Sequence, residues 1–270
     1  MNRVDFKYIY GPVSSWRLGS SLGIDAISGK EKICTFDCLY CQLGRTRILS
    51  GHRQVFVPTE KIIRELSRLP CLKFDYITFS GSGEPALAKN LGQLIKAMRK
   101  IRKEKIAVLT NASLIDRKDV RKDLSLADFV AVKLDAGSQE LLEEINKPVK
   151  SVKFNRLLKA INRFKAEFKG RLALQIMFIK KNEKYAEEIA RIARQIHPDE
   201  IQINTCLRPC RAKPLSKSEL RIVKNCFART CAKNTRIVTV YESARREVKA
   251  INKDATLKRR HPIRRNNEDV

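Results

Sequence analysis

From Ser21 onward, short apolar runs alternate with longer stretches in which apolar residues recur every three or four positions. The short runs are Leu22–Ile27, Tyr76–Phe79, Ile106–Thr110, Phe129–Leu134, Leu172–Ile179 and Glu200–Thr205. Their near-continuous Val, Ile, Phe and Leu content predicts strands covered on both faces, as in a parallel sheet. The longer stretches predict amphipathic helices. Ile62, Ile63, Leu66 and Leu69 share one face, with Thr59 and Glu60 at its start. Leu91, Leu94, Ile95, Met98 and Ile101 repeat the pattern, as do Phe154, Leu157, Leu158, Ile161 and Phe164, and then Tyr185, Ile189, Ile192 and Ile196. Six strand–helix units in series predict a right-handed parallel wind, either a barrel or an open doubly wound sheet. Periodicity does not choose between the two. In both, the chemistry sits at the carboxyl ends of the strands.

Past Pro209 the rhythm changes. A basic helix over Ser216–Ala232 and a short strand over Arg236–Tyr241 lead to a tail in which Leu257–Arg265 holds five basic residues and no acid. With 270 residues in all, this predicts a core domain over residues 1–213 and a basic C-terminal extension over 214–270. A chain of this size buries a core without help from disulfides or metal.

Charge changes the picture next. Lys+Arg 56 against Asp+Glu 29 leaves a formal +27, which argues against a small cationic substrate and for an anionic partner. The stretch from Gln42 to Pro58 carries Arg45, Arg47, His52 and Arg53 without an acid, and Arg208, Arg211, Lys213 and Lys217 follow the sixth strand. The tail adds Lys258, Arg259, Arg260, Arg264 and Arg265, whereas the Lys- and Arg-rich residues 96–105 read as a solvated helix face. No stretch approaches the ~18 consecutive apolar residues of a membrane helix. The start, Met1 to Asp5, lacks an apolar signal region, so a cytoplasmic protein is expected. Its eight cysteines then read first as metal or cluster ligands.

The strongest chemical signal is Cys34-Thr35-Phe36-Asp37-Cys38-Leu39-Tyr40-Cys41, a C-x3-C-x2-C run after the first strand. Three thiolates on one short loop suit three irons of a [4Fe–4S] cube and leave the fourth iron to a ligand that is not cysteine. Zinc would need a fourth protein ligand, and the nearest histidine, His52, stands alone.

The run, with an aromatic residue before its third cysteine, resembles the cluster loop of the radical S-adenosylmethionine (SAM) superfamily. Phe79-Ser80-Gly81-Ser82-Gly83-Glu84-Pro85 follows the second strand, where that superfamily carries its Gly-Gly-Glu type motif. Gly11 to Gly19, Thr110-Asn111-Ala112, Lys133-Leu134-Asp135-Ala136 and Asn204-Thr205 are similar to a narrower group, the iron–sulfur oxidoreductases related to the tRNA wybutosine-synthesis radical SAM enzyme. The resemblance covers roughly residues 8–260. It implies a partial (βα)6 barrel of the TIM type, a [4Fe–4S] cluster on Cys34, Cys38 and Cys41, and SAM chelated to the open iron. It further implies reductive cleavage of SAM to methionine and a 5′-deoxyadenosyl radical, with the cofactor supplying the hard step.

Candidate SAM-binding residues are Tyr40, Gly81, Gly83, Glu84, Asn111, Lys133 and Asp135. Gly81 and Gly83 allow close approach to a ligand and positive φ. Glu84 is suited to accept from the SAM ammonium, or to start a helix at an ordinary strand-to-helix turn. By the resemblance Tyr40 lies near the adenine; its other role is packing of the cluster loop. Asn111 suits the ribose or an Asx turn, and Lys133 and Asp135 suit the barrel mouth or a surface ion pair. Gln175 and Asn204 carry weaker signals. No catalytic side chain is singled out.

Cys206 and Cys210, with Cys226 and Cys231, admit three readings: an auxiliary cluster or metal, a catalytic thiol at Cys206 or Cys210, or small buried apolar residues. The spacing of Cys226 with Ile222 suits the last. The sequence thus predicts a radical SAM enzyme of the iron–sulfur oxidoreductase type, acting on an anionic substrate with tRNA, and so RNA modification, the leading case. An electron donor such as ferredoxin or flavodoxin is implied. The alternative is a non-catalytic iron–sulfur or zinc protein that binds nucleic acid.

Overall fold

The computed structural model describes residues 6–29, 31–243, 247–253 and 256–257. In chain order the elements are β1 (Ile9–Ser15), β2 (Gly19–Ile24), β3 (Ile33–Cys34), β4 (Ile48–Leu49), α1 (Thr59–Ser67), β5 (Tyr76–Phe79), α2 (Leu91–Ile101), β6 (Lys105–Thr110), α3 (Lys118–Leu124), β7 (Phe129–Lys133), α4 (Gln139–Asn146), α5 (Phe154–Glu167), β8 (Arg171–Met177), α6 (Ala186–Ile196), β9 (Glu200–Asn204), α7 (Lys217–Thr230) and β10 (Arg236–Thr239). The main sheet runs β1-β2-β5-β6-β7-β8-β9-β10. β1 pairs antiparallel with β2, and every later pair is parallel. Apart from β3 and β4, each parallel step along the sheet brings in the next strand in sequence, with helices between. The sheet curls into the partial barrel expected from the sequence. β3 and β4 form a separate two-stranded parallel ribbon.

The six expected strands are all present, yet their faces differ in a way the apolar runs did not foretell. On one face Leu22, Ile77, Val108, Val130, Leu174 and Ile201 are fully buried and join the apolar stripes of the helices in one large core. A fully buried side chain of this kind contributes about 1.5–3 kcal/mol. On the other face large apolar residues such as Phe129 gather toward the amino ends of the strands, and the rest are small or polar. Ala107, Phe129, Ala131 and Ala173 form a second, smaller cluster with Leu18. Beyond it Lys133, Gln175 and Gln202 lie side by side in register across β7, β8 and β9. β9 shows the alternation most plainly, reading Glu-Ile-Gln-Ile-Asn. Toward the carboxyl ends of these strands the lumen is therefore lined by polar side chains, and the large core lies on the outer face.

The helices bury most of the faces expected of them, with three differences. Ile101, expected on the buried stripe of α2, ends the helix 44% exposed. α3 and α4, seven and eight residues long, are too short for a helical period to show against their surroundings. On α7 the buried stripe is Leu220, Val223, Cys226 and Phe227, while Ile222 is 68% exposed. Cys226 thus packs with Val223 and Phe227 rather than with Ile222. β10 pairs with β9 in the same sheet, and Ile251 and Thr256 hydrogen-bond to the backbone of Gly11 in β1. The basic residues Lys258, Arg259, Arg260, Arg264 and Arg265 lie outside the described residues. Among the described residues no helix is long and apolar enough to cross a membrane.

Candidate active site

The cysteine-rich loop leaves β3 and is gripped from three sides. On the first, Gly83 bridges to Ile33, so close that a Cβ on Gly83 would lie 1.8 Å from the Ile33 carbonyl oxygen. On the second, the amides of Asp37 and Leu39 donate to the carbonyls of Asn146 and Ile145 at the end of α4, each at 2.9 Å. On the third, the segment after β9 reaches across. Arg211 Nη2 donates to Asp37 Oδ1 at 3.0 Å and to the Cys38 carbonyl at 3.2 Å, and Arg208 hydrogen-bonds to Gln42. The Thr46 amide closes the loop on itself through Asp37 Oδ1 at 2.7 Å. Burial alone would raise the Asp37 carboxyl, but Thr46 and the Arg211 guanidinium hold it below the usual range.

Cys34, Cys38 and Cys41 hang from this fixed backbone. Burial pushes the Cys34 thiol up to about 12, and it pushes the Cys38 thiol up to about 11 against the opposing charge of Lys133. Metal ligation is the route by which such buried sulfurs become thiolates. Two of them also face amide donors: Asn111 Nδ2 at 3.7 Å from Cys34 Sγ, and Asn146 Nδ2 at 3.3 Å from Cys38 Sγ. Among the described residues no group of three or more His, Cys, Asp or Glu side chains is gathered tightly enough for one metal ion. Three cysteine sulfurs on one short loop supply three of the four ligands of a [4Fe–4S] cluster, and by the chemistry of this donor set the residues fit that group.

The turn after β5 is built around two buried carboxylates. Glu84, 2% exposed, accepts from Thr110 Oγ1 at 2.5 Å, the Asn111 amide at 2.7 Å and the Ala86 amide at 3.0 Å. It therefore caps the short helical turn Pro85–Leu87 and ties it to the end of β6. Burial raises its carboxyl, against the pull of these three donors. The glycines divide the work: Gly81 takes φ +140°, and Gly83 gives the close approach, which is to Ile33 of the cluster loop. Asp25, 1% exposed and just past β2, accepts from the Ser82 amide at 3.1 Å and from the Ser82 hydroxyl.

Tyr40, Lys133, Asp135 and Asn146 meet in one buried network. The Tyr40 hydroxyl donates to Asp135 Oδ2, and Asn146 Nδ2 reaches Tyr40 Oη at 2.8 Å and Asp135 Oδ2 at 2.9 Å. Lys133 Nζ lies 4.6 Å from the Tyr40 ring centroid and 3.7 Å from Asp135 Oδ2. Asp135 Oδ1 takes the Met177 amide at 2.7 Å, which joins β8 to the same centre. Burial first, and then the Asp135 charge, hold the Tyr40 phenol well above its ordinary value. Lys133 and Asp135 are thus an interior pair, not a surface one. Gln175 and Asn204, both 9% exposed, line the lumen beside them. Asn111, with its Oδ1 on the Ser113 amide, makes an Asx turn and braces Thr35 through Nδ2 at 2.7 Å.

Sequence reasoning did not single out Asp25, Asn146 or Thr35. Asp25 had a signal, an isolated acid ending an apolar run at a strand's carboxyl end; Asn146 closes a helix too short to be seen. Arg53 differs from its expected place on a basic surface. It is 6% exposed, points inward, and pairs with Asp119 at 2.7 Å and Asp123 at 2.6 Å. The second cysteine set falls into two pairs. Cys206 and Cys210 both donate to the Ala212 carbonyl, at 3.6 and 3.4 Å, while Cys226 and Cys231 are buried in the main core. At the opposite, amino ends of the strands lies a groove of about 980 Å³. Its Arg171 and Arg236 both pair with Glu200, and Lys224 pairs with Glu242.

A model of the Radical SAM superfamily matches residues 32–193, which take in the cysteine loop, the glycine turn and the Tyr40 network. The UPF0026 protein slr1464 of Synechocystis is 44% identical over 213 residues, covering 78% of this chain and 79% of that one. The UPF0026 protein MJ1312 of Methanocaldococcus jannaschii is 34% identical over 227 residues, 81% of this chain and 70% of that one. Among solved structures, SuiB of Streptococcus suis bound to S-adenosylmethionine superposes with a TM-score of 0.61 at 17% identity, over 77% of this chain. With its precursor peptide bound the TM-score is 0.64 at 16% identity, over 83% of this chain. This chain spans about half the length of SuiB, 48% in the first comparison, and the likeness is one of fold. The chain belongs to the radical SAM superfamily, whose enzymes work with a [4Fe–4S] cluster and S-adenosylmethionine, and within it to the UPF0026 proteins.

Proposed function

We propose that this radical SAM enzyme acts on a polyanion, with RNA, and tRNA in particular, as the substrate class. The observation that carries the reading is the acid-free segment 42–58, which directly follows the cluster cysteines and exposes Arg45 and Arg47. Arg208 stands half-buried and Lys213 exposed on the loop after β9, which is itself clasped to the cysteine loop. Positive charge therefore borders the reaction centre on two sides, where phosphates of a long substrate would be held. The relation to the tRNA wybutosine-synthesis enzyme, read from sequence motifs, points to the same substrate class.

Within this reading Cys34, Cys38 and Cys41 hold the cluster, which with SAM supplies a hydrogen-abstracting radical when bound. The chain's own residues orient and dry the site. Glu84 fixes the turn that would face the methionine end of SAM, and Tyr40, pinned by Asp135, would offer its ring to the adenine. Lys133 places a cation at the lumen wall. A low-potential donor such as ferredoxin or flavodoxin delivers the electron. Cysteines that ligate a cluster or lie buried as thiols suit a reducing compartment, and we place the enzyme in the cytoplasm.

Anaerobically reconstituted protein given dithionite and SAM should release 5′-deoxyadenosine, and Cys38→Ala should abolish the release. Cellular tRNA should bind with an affinity that falls steeply between about 50 and 200 mM salt. A loaded protein that makes no 5′-deoxyadenosine sinks the assignment of the site, and tRNA binding that is absent or indifferent to salt sinks the substrate.

A further inference from the structure

Two of the three cluster cysteines receive side-chain amides from different elements of the barrel. Asn111 follows β6 and Asn146 ends α4, and both are buried, at 6% and 1% exposure. Neither is loosely held. Asn111 is locked by Thr35 Oγ1 at 2.7 Å on its nitrogen and by the Ser113 amide at 3.0 Å on its oxygen. Asn146 Nδ2 has two hydrogens for three acceptors, so with one on Cys38 Sγ the other is shared between Asp135 Oδ2 and Tyr40 Oη, while its own Oδ1 is buried without a partner. Turning that amide over would set its oxygen against a carboxylate and a phenol oxygen that already donates its hydrogen to Asp135. The nitrogen is therefore the end that faces Cys38, and the unpartnered oxygen is the cost of that choice.

We propose that Asn111 and Asn146 are positioning residues that set the reduction potential of the cluster through N–H···S hydrogen bonds to Cys34 and Cys38. The inference rests on the reading that these cysteines ligate a [4Fe–4S] cluster. Hydrogen bonds to cluster sulfurs stabilise negative charge on them. Reduction adds one electron, so the reduced state gains more from each bond than the oxidised state, and the potential rises. Asp135 and Tyr40 contribute by holding the Asn146 amide in line, which links the adenine side of the site to the ease of electron entry.

The test is a redox titration of reconstituted wild type, Asn111→Leu and Asn146→Leu, followed by electron paramagnetic resonance of the reduced cluster with iron counted in each sample. Each leucine variant should show a reduced-to-oxidised ratio roughly tenfold lower at a fixed solution potential, about 59 mV for a one-electron couple. Asn146→Gln should restore part of the shift. Loaded variants with the wild-type midpoint overturn the inference and leave the cysteine assignment standing. A wild type that never takes up about four irons overturns both. Should the leucine variants fail to load, wild type labelled with 15N-asparagine decides by pulsed resonance: weak 15N couplings to the reduced cluster support the inference, and none overturns it.

Discussion

Gly83 and Ile33 touch backbone to backbone, and through that contact the glycine turn after β5 becomes a wall of the cysteine loop. A Cβ on Gly83 would fall 1.8 Å from the Ile33 oxygen and 3.2 Å from Ile27 Cγ2. A backbone oxygen cannot rotate away as a flexible side chain does, so Gly83→Ala must push β3 and Cys34 outward. We expect a destabilisation of about 1–3 kcal/mol from overpacking and a clear loss of iron uptake on reconstitution. Thermal melts and iron analysis check it. Wild-type iron content in Gly83→Ala would show that the loop tolerates the shift.

The Asp37–Arg211 pair makes the apo protein sensitive to acid. Asp37 is held below its ordinary value, so the folded state keeps the carboxylate charged where the unfolded chain binds a proton. Its contribution is fully present above the unfolded value of about 3.9 and is lost as pH falls through the depressed folded value. Chemical denaturation of metal-free protein at successive pH values should therefore show stability falling below about pH 4, more steeply in wild type than in Asp37→Asn. Equal slopes would mean that the clasp across Arg211 carries no net stability.

Cys206, Cys210, Cys226 and Cys231 should not bind iron. Cys226 and Cys231 are buried at 6% and 9% exposure with the apolar residues of α6 and α7, and Cys206 and Cys210 turn to a backbone carbonyl. Reconstituted protein should hold about four irons per chain. Cys226→Ala and Cys231→Ala should keep that number, each at a stability cost of about 1 kcal/mol. About eight irons per chain would contradict the placement of these thiols.

How far the sequence could be read follows from which features are local. A three-cysteine loop, a Gly-Ser-Gly-Glu turn and six apolar runs each fit within ten residues, so the barrel and its candidate site were legible. What escaped depends on contacts across the chain. Asn146 acquires its role only because α4 ends 108 residues from Cys38 in sequence and beside it in space. Arg53 sits among basic neighbours in sequence, but its partners Asp119 and Asp123 both come from α3. Gly83 was expected near a ligand because glycine permits close approach; which backbone approaches it is a matter of topology. The alternation of β9 was in the sequence, hidden by grouping it with the more continuously apolar strands.

Arg53 and Arg45 stand eight residues apart in the same acid-free segment and should answer different measurements. Arg53 is buried and donates to the Ala86 and Ala88 carbonyls at 2.8 and 2.9 Å besides its two aspartates. Arg53→Ala leaves Asp123 and two carbonyls without their donor, and breaking such a buried pair costs about 3–5 kcal/mol. Arg45 is exposed, as is Lys213 on the loop after β9. Arg45→Gln and Lys213→Gln should leave stability within about 0.5 kcal/mol of wild type. Each should instead reduce the logarithmic salt slope of tRNA binding by about one, as expected for loss of one phosphate contact. A slope unchanged in both variants would remove these cations from the polyanion site, whereas a large stability loss in Arg45→Gln would mean that it is buried against the protein like Arg53.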